Sequence, residues 1–310
     1  MCNGTIMDKL ISFSIPLMLS GILQLMFNAV DIVVVGRFSG SQALAAVGST
    51  TALINVFTNL FIGISLGANV LAARYYATGK TKEMSETVHT AIALALVSGV
   101  AMAVIGVVFA RGALEIMGTP DDVIAKSTLY MRIYFCGMPF FMMYNYGAAI
   151  LRAVGDTKRP LIFLIVSGVI NAVLNLFLVI GFHLDVAGVG IATVISQLVS
   201  CILVLRCLHH TESSYQLHLA KLRIRSVYLK QIFEVGVPAG IQSTVINISN
   251  AMLQSSVNSF GSIAMAGYTA SNNIFGFLYV SVNSFTQACM SFTSQNYGVK
   301  KLKRMDRVLI

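Results

Sequence analysis

One carboxylate, Asp31, lies inside an apolar stretch of the sequence that otherwise carries no charge. The nearest charged residues on either side are Lys9 and Arg37, and the apolar stretch between them begins near Ser14. An ionised carboxylate near the middle of a bilayer costs about 2.5–3.5 kcal/mol on insertion scales, so such residues are rare and usually functional. Asp31 therefore predicts a membrane protein that handles a cation.

Two amides accompany this acid on the same predicted helix. Gln24, Asn28 and Asp31 are spaced i, i+4 and i+7, which places them on one helix face. A polar stripe on a membrane helix faces protein or a water-filled cavity. Asp31 precedes Arg37 by six residues, or about 9 Å of helix rise, which places it in the outer half of the membrane. The alternative is a buried acid that neighbouring polar groups satisfy and that has no transport role.

A second pair of amides, Asn171 and Asn175, shares one face of a later apolar stretch. Amide oxygens opposite a carboxylate suit a hard cation, which prefers oxygen ligands. The amides could instead donate to Asp31 and set its proton affinity, or serve only as hydrogen bonds between helices. Thr193 adds a hydroxyl on the following stretch.

The composition requires a membrane to position these residues. Hydrophobic residues form 56% of the 310 positions, charged residues form 11%, and the mean hydropathy is +0.79. Soluble domains carry about 25% charged residues, and a span needs about 20 apolar residues. We predict an all-α polytopic protein with eight spans, at about residues 10–36, 38–73, 87–110, 130–151, 161–182 and 186–205, and two within 232–299 with a turn at 258–262. A turn is predicted at 37–40, and the stretch 38–73 is too long for a span alone and is predicted to include a loop.

Basic residues predict the orientation. With the N-terminus inside, 17 of the 21 Lys and Arg residues fall in inside segments, as the positive-inside rule expects. The net charge of +9 is then a topology signal, and we expect no nucleic-acid partner. The prediction is a multi-pass protein of the cytoplasmic membrane.

An internal repeat divides the chain. A shift of 221 or 222 residues places Pro16 on Pro238, Tyr76 on Tyr297 and Lys80 on Lys301. We predict a complete six-span N lobe at 1–210, an inter-lobe linker at 211–230 and a partial C lobe at 231–310. The C lobe would hold two spans and the start of a ninth, so we expect a truncated chain. Two related bundles around a cavity are a transporter architecture.

Two further features bear on this architecture. Residues 217–225 of the linker alternate apolar and basic side chains, which indicates either contact with anionic lipid headgroups or a plain connector. Pro16 and Pro238 lie near the starts of spans 1 and 7, where a proline removes a backbone hydrogen bond and can kink the helix.

The sequence contains none of the common catalytic motifs that would indicate an enzyme. The sequence contains no phosphate-binding loop, HExxH or GxSxG motif. Its five cysteines include no CxxC and predict neither a disulfide framework nor a metal site. We expect a non-enzymatic transporter without cofactors, driven by an ion gradient.

The sequence resembles the MATE family, the multidrug and toxic compound extrusion transporters. The resemblance lies in DIVVVGR at 31–37, LAAVG at 44–48, RAVGDT at 152–157 followed by Pro160, the Asn171 and Asn175 pair, GVGIATVISQ at 188–197, GVP at 236–238 and QNYG at 295–298. It implies twelve spans in two lobes of six. It also implies antiport of cationic drugs against Na⁺ or H⁺.

The resemblance further implies a coupling-cation site in the N lobe. That site would comprise Asp31, Asn171, Asn175 and Thr193, with Tyr130 from the fourth span, and no metal other than a possible Na⁺ at Asp31. Some family members have Asp where this chain has Asn175, and some have Glu at the position of Ile246. We therefore expect coupling to rest on the N lobe.

Two other functions compete with antiport. A flippase for lipid-linked oligosaccharides has a related two-lobe architecture, but should place basic residues in its cavity, and the inner parts of these spans have none. A non-transporting receptor or assembly factor would not need the embedded acid or the repeat. The expected partners are small cationic substrates and membrane lipids, and we expect a monomer.

Overall fold

The computed structural model describes residues 2, 5–258 and 262–309. All regular secondary structure in these ranges is helical. The α-helices are α1 Ile6–Phe38, α2 Ser41–Ala77, α3 Thr81–Ile116, α4 Asp121–Cys136, α5 Met138–Ala153, α6 Lys158–Leu176, α7 Asp185–His209, α8 Ser226–Asn258, α9 Ser262–Gly298 and α10 Leu302–Leu309. A π-helical turn, Phe177–Gly181, extends α6, and a 3₁₀ turn, Leu219–Lys221, lies between α7 and α8.

Five of these helices are long and apolar enough to cross a membrane. They are α1, α2, α3, α6 with its π turn, and α7, and they coincide with predicted spans 1, 2, 3, 5 and 6. The predicted turn at 37–40 is present, because α1 ends at Phe38 and α2 begins at Ser41. Within 38–73 the loop is limited to Ser39 and Gly40, since α2 is continuous for 37 residues and contains no proline to interrupt it. Gly40 completes this turn with a φ of 85° that favours glycine.

The fourth predicted span is divided into two helices. We predicted one helix over 130–151, whereas α4 and α5 meet at Gly137. Pro139 lies in the first turn of α5, where its missing N–H costs nothing, but it could not continue α4. Gly137 also lies against α7, since a Cβ there would be 2.5 Å from Gln197 Oε1.

Glycines allow α2 and α8 to cross with their backbones in contact. Gly63 and Gly67 of α2 face Gly236 and Gly240 of α8, and a Cβ on Gly63 would overlap the backbone of Gly240. Both pairs have the four-residue spacing of close-packed membrane helices. This crossing seats the start of α8 against the preceding helices.

Buried hydrogen bonds join α9 to α5 near the same end of the molecule. Gln295 Nε2 donates to the Ala153 carbonyl at 2.6 Å. Asn69 Nδ2 of α2 donates to the Ala149 carbonyl at 2.8 Å, and Asn69 Oδ1 accepts from Ser291 Oγ at 3.0 Å. We call this the basic end, because the connections after α2, α5 and α7 and the end of α9 gather here and carry most of the Lys and Arg residues.

The boundaries of the predicted lobes remain predictions. Helix α8 begins at Ser226, inside the range 211–230 assigned to the linker. The predicted turn between spans 7 and 8 centres on residues 259–261, which lie outside the described residues.

Candidate functional site

The contact between α1 and α6 positions Asp31. A Cβ on Gly168 of α6 would overlap the ring of Phe27 on α1, so this ring packs directly on the α6 backbone. Phe27 lies one turn before Asp31, and Gly168 lies one turn before Asn171 and two turns before Asn175. The same contact therefore brings the carboxylate opposite the two amides.

A chain of polar contacts links Asp31 to α7. Asn175 Nδ2 donates a hydrogen bond to Asp31 Oδ1 and a second to Asn171 Oδ1 at 3.2 Å. Asn171 Nδ2 donates to Thr193 Oγ1 at 3.5 Å, and this hydroxyl donates to the Val189 carbonyl at 2.9 Å. The structure thus brings together Asp31, Asn171, Asn175 and Thr193 from three helices.

One oxygen in this cluster lacks a partner. Asn175 is fully buried and Asn171 is 6% exposed, while Asp31 and Thr193 are half-buried. Asn175 Oδ1 has no hydrogen-bond partner among the described residues. A buried polar atom without a partner is costly. A hydrogen-bond donor or a cation that binds this oxygen would remove that cost.

The donor set suits a small hard cation. Asp31 contributes carboxylate oxygens, the two asparagines amide oxygens and Thr193 a hydroxyl, which are the ligand types of such cations. No group of three or more His, Cys, Asp or Glu side chains within the described ranges could hold a metal ion. The cluster therefore offers one formal negative charge and neutral oxygens.

Tyr130 forms a wall beside this cluster. Its side chain is buried, and a Cβ on Gly190 of α7 would lie 3.6 Å from its ring. Gly190 precedes Thr193 by one turn. Tyr130 also lies beside Tyr134, with the ring centroids 6.2 Å apart.

The remaining predicted residues lie away from the hydrogen-bonded cluster. Gln24 and Asn28 are exposed on α1, on the side where Gly21 packs against Val280 of α9. Pro16 is buried, and Ser20 Oγ donates to its carbonyl at 2.8 Å. Helix α1 continues through Pro16, and α8 continues through Pro238.

Two elements of the site were not predicted from the sequence. The spacing of Gly168, Asn171 and Asn175, at i, i+3 and i+7, was a signal that could have identified Gly168. The π turn begins two residues after Asn175, and such turns are frequent at functional sites. Its residues, Phe177 to Gly181, give no comparable signal, because they are as compatible with an α-helix.

The sequence matches the MatE family model over residues 16–177 and 238–310. The probable multidrug resistance protein YoeA of Bacillus subtilis is 32% identical over 304 residues, covering 96% of this chain and 66% of YoeA. The FAD transporter of Shewanella oneidensis is 22% identical over 310 residues, covering 97% of this chain and 67% of that protein. The chain thus spans about two thirds of the length of these relatives.

Solved structures show the same fold. A crystal structure described as MATE in the bent conformation aligns with a TM-score of 0.91 and 22% identity, covering 98% of this chain and 68% of that one. A multidrug resistance MATE family transporter in an outward-facing conformation aligns with a TM-score of 0.89 and 22% identity, covering 97% and 67%. These similarities confirm the predicted all-helical membrane fold.

Proposed function

Because the chain belongs to the MATE family, whose members are transporters and not enzymes, we propose that it exports small organic cations across the cytoplasmic membrane in exchange for Na⁺ or H⁺. The observation that carries this proposal is the contact of Asp31 with Asn175, whose Oδ1 is buried and without a partner in the described part of the chain. The similarity to YoeA, named as a probable multidrug resistance protein, supports drugs as the substrate class.

A single carboxylate favours competition between the substrate and the coupling cation. Asp31 can neutralise one positive charge at a time, so a drug cation and the coupling cation exclude each other from it. An empty site with an ionised carboxylate is less favourable in the membrane than a site whose charge a bound cation neutralises. This difference allows occupancy to bias the conformational equilibrium, because a ligand shifts an equilibrium by its differential affinity for the two states.

The Asn175 amide would face Asp31 with a different atom in H⁺ coupling than in Na⁺ coupling. With Nδ2 directed at Asp31, the carboxylate accepts a hydrogen bond and can take up a proton on its other oxygen. A half-turn of the amide would direct Oδ1 toward Asp31 and create adjacent oxygen ligands for Na⁺. The Asn171 amide would have to turn as well, so that its Nδ2 donates to Asn175 Oδ1 and its Oδ1 accepts from the Thr193 hydroxyl, which now donates to the Val189 carbonyl.

The other predicted residues take supporting roles in this proposal. Tyr130 shields the cation from the side of α4, and Gln24 and Asn28 line the substrate path along α1. Pro16 and Pro238 leave unpaired carbonyls one turn before them, which allows α1 and α8 to bend during transport. We do not propose the flippase, because the relatives described above are named as multidrug or FAD transport proteins.

Ethidium transport into everted membrane vesicles tests the proposal. We expect Asp31→Asn to reduce cation-gradient-driven uptake to the level of vesicles without the protein. Asp8→Asn is the matched control, since it makes the same change at an exposed position near the start of the same helix. Parallel assays with a Na⁺ gradient and, in Na⁺-free buffer, a proton gradient identify the coupling ion. Undiminished uptake by Asp31→Asn would refute the proposal.

A further inference from the structure

A cleft at the basic end has no part in the Asp31 site. It lies between the first turns of α3 and the segment that connects α7 to α8, and its volume is ≈ 510 Å³. We call it the linker cleft. It is lined by Lys82, Ser85, Glu86, His89, Ala220, Lys221, Leu222 and Arg223.

Hydrogen bonds and ion pairs fix the walls of the linker cleft. Arg223 and Arg225 both pair with Glu86, the second with Nε 3.2 Å from Oε2. The His218 backbone N–H donates to His89 Nε2 at 3.1 Å, and the two imidazoles stack. The linker is thus docked on α3 at several points, and the cleft between them is preformed.

The linker cleft carries more positive than negative charge. Two guanidinium groups share the single carboxylate of Glu86. Lys82 and Lys221 are exposed and form no ion pair within the described residues. Loss of solvation, and then the charge of Lys221, lower the pKa of His218, which disfavours a positive charge on that imidazole. An anion would balance this surplus.

Exposed apolar side chains lie next to these cations in the sequence, in the linker and the first turn of α8. Leu219 is 57% exposed, Ile224 is 41% exposed and Val227 is 65% exposed. Leu217, by contrast, is fully buried and anchors the segment. Basic groups beside exposed apolar groups, at the ends of membrane-spanning helices, are typical of a surface that meets lipid headgroups and the adjoining acyl chains.

We propose that the linker cleft binds the phosphate headgroup of an acidic phospholipid. Lys82 and Lys221, one from each wall, would contact the phosphate, and Leu219, Ile224 and Val227 would contact the acyl chains. The lipid would join α3 to the segment that leads into α8. The exposed apolar side chains favour a lipid over a soluble phosphate, which would leave them in water.

Native mass spectrometry of the purified chain tests this site. We expect more phosphatidylglycerol than phosphatidylcholine to be retained, and we expect Lys82→Gln combined with Lys221→Gln to lose this preference. An electrostatic contribution of about fivefold in affinity is expected for each lysine near the headgroup. The matched control is Lys158→Gln combined with Arg206→Gln, which removes two exposed charges at the same end but outside the cleft.

The outcomes separate the alternatives. Retention of the preference by the control and its loss in the cleft variant support the site. Equal loss in both variants indicates a general effect of surface charge and overturns it, as does a wild-type chain without preference. Displacement of phosphatidylglycerol by inorganic phosphate at millimolar concentration would assign the cleft to a soluble anion. Unchanged melting temperatures of both variants, measured by circular dichroism, verify that folding is intact.

Discussion

At the residue scale, the candidate site combines one charged ligand with neutral ones. Asp31 supplies its only carboxylate, and the side chain that contacts it directly is the amide of Asn175. The amide adds an oxygen without adding a charge. A site of this kind releases its cation more readily than one with two carboxylates, since ligand charge is a main determinant of cation affinity.

Replacing the amide by a second carboxylate tests this balance. We expect Asn175→Asp to lower the cation concentration that half-saturates transport by about tenfold, because a second negative charge joins the ligand set. The maximal rate should fall, because the cation leaves more slowly. Proton coupling should also extend to higher pH, since two adjacent carboxyl groups resist simultaneous ionisation.

The measurement is the initial rate of ethidium uptake at graded cation concentrations. Asn145→Asp is the control: it makes the same change on α5, where the Asn145 side chain donates to the Phe141 carbonyl within its own helix. An unaltered half-saturating concentration in Asn175→Asp would show that Asn175 does not contact the coupling cation.

At the element scale, a glycine sets the register between α1 and α6. The Phe27 ring occupies the space that a side chain at residue 168 would need. Any displacement of α1 from α6 at this point moves Asp31 away from Asn175, which lies two turns along α6 from Gly168. The glycine is thus a positioning residue, although it does not contact the proposed cation.

We expect Gly168→Ala to destabilise the protein by about 1–3 kcal/mol, as overpacking in a close-packed interior does, and to reduce transport. Gly48→Ala on α2 is the control, because nothing lies within 4 Å of its Cβ position. Combining Gly168→Ala with Phe27→Leu should restore part of the lost activity. A Gly168→Ala protein with normal transport and melting temperature would contradict the proposed register.

The sequence predicted most helices but not the break between α4 and α5. Hydropathy located α3 and α7, because a long apolar segment in a bilayer has few alternatives to a helix. The break at Gly137 depends on Gln197 and the rest of α7 packing against it, which is a contact distant in sequence. The loop expected within 38–73 is only the turn at Ser39 and Gly40, because the residues from 41 onward belong to α2, a helix long enough to extend beyond the bilayer.

The candidate site was more accessible to prediction than the linker cleft. Helical spacing and the family resemblance predicted Asp31, Asn171, Asn175 and Thr193 as one site, and these residues form a continuous polar chain in the structure. The docking of Arg223 and Arg225 on Glu86 gave no such signal. Those residues belong to an irregular segment, whose path is set by tertiary contacts rather than by a periodic pattern.

At the whole-molecule scale, the two ends of the helix bundle differ in charge and in the contacts between helices. The basic end carries the linker cleft and the buried amides of Asn69 and Gln295, whereas the glycine crossing of α2 and α8 involves the middle part of α2. The opposite end has the short turns after α1, α3 and α6, with ion pairs between Lys126 and Asp185 at 2.7 Å and between Arg111 and Glu115 at 2.8 Å. Asp31 lies nearer this opposite end, since it precedes the last turn of α1. The proposed site would therefore exchange its cation with the outside when the basic end is closed.

This arrangement requires the basic end to be cytoplasmic, and cysteine labelling tests that orientation. In a variant without the five native cysteines, we expect Asp122→Cys to react with a membrane-impermeant maleimide on intact cells. Glu212→Cys should react only after permeabilisation, because it lies in the linker at the basic end. Both positions are exposed acids, so they differ mainly in their side of the membrane. Labelling of Glu212→Cys on intact cells, with protection of Asp122→Cys, would reverse the orientation and place the linker cleft outside.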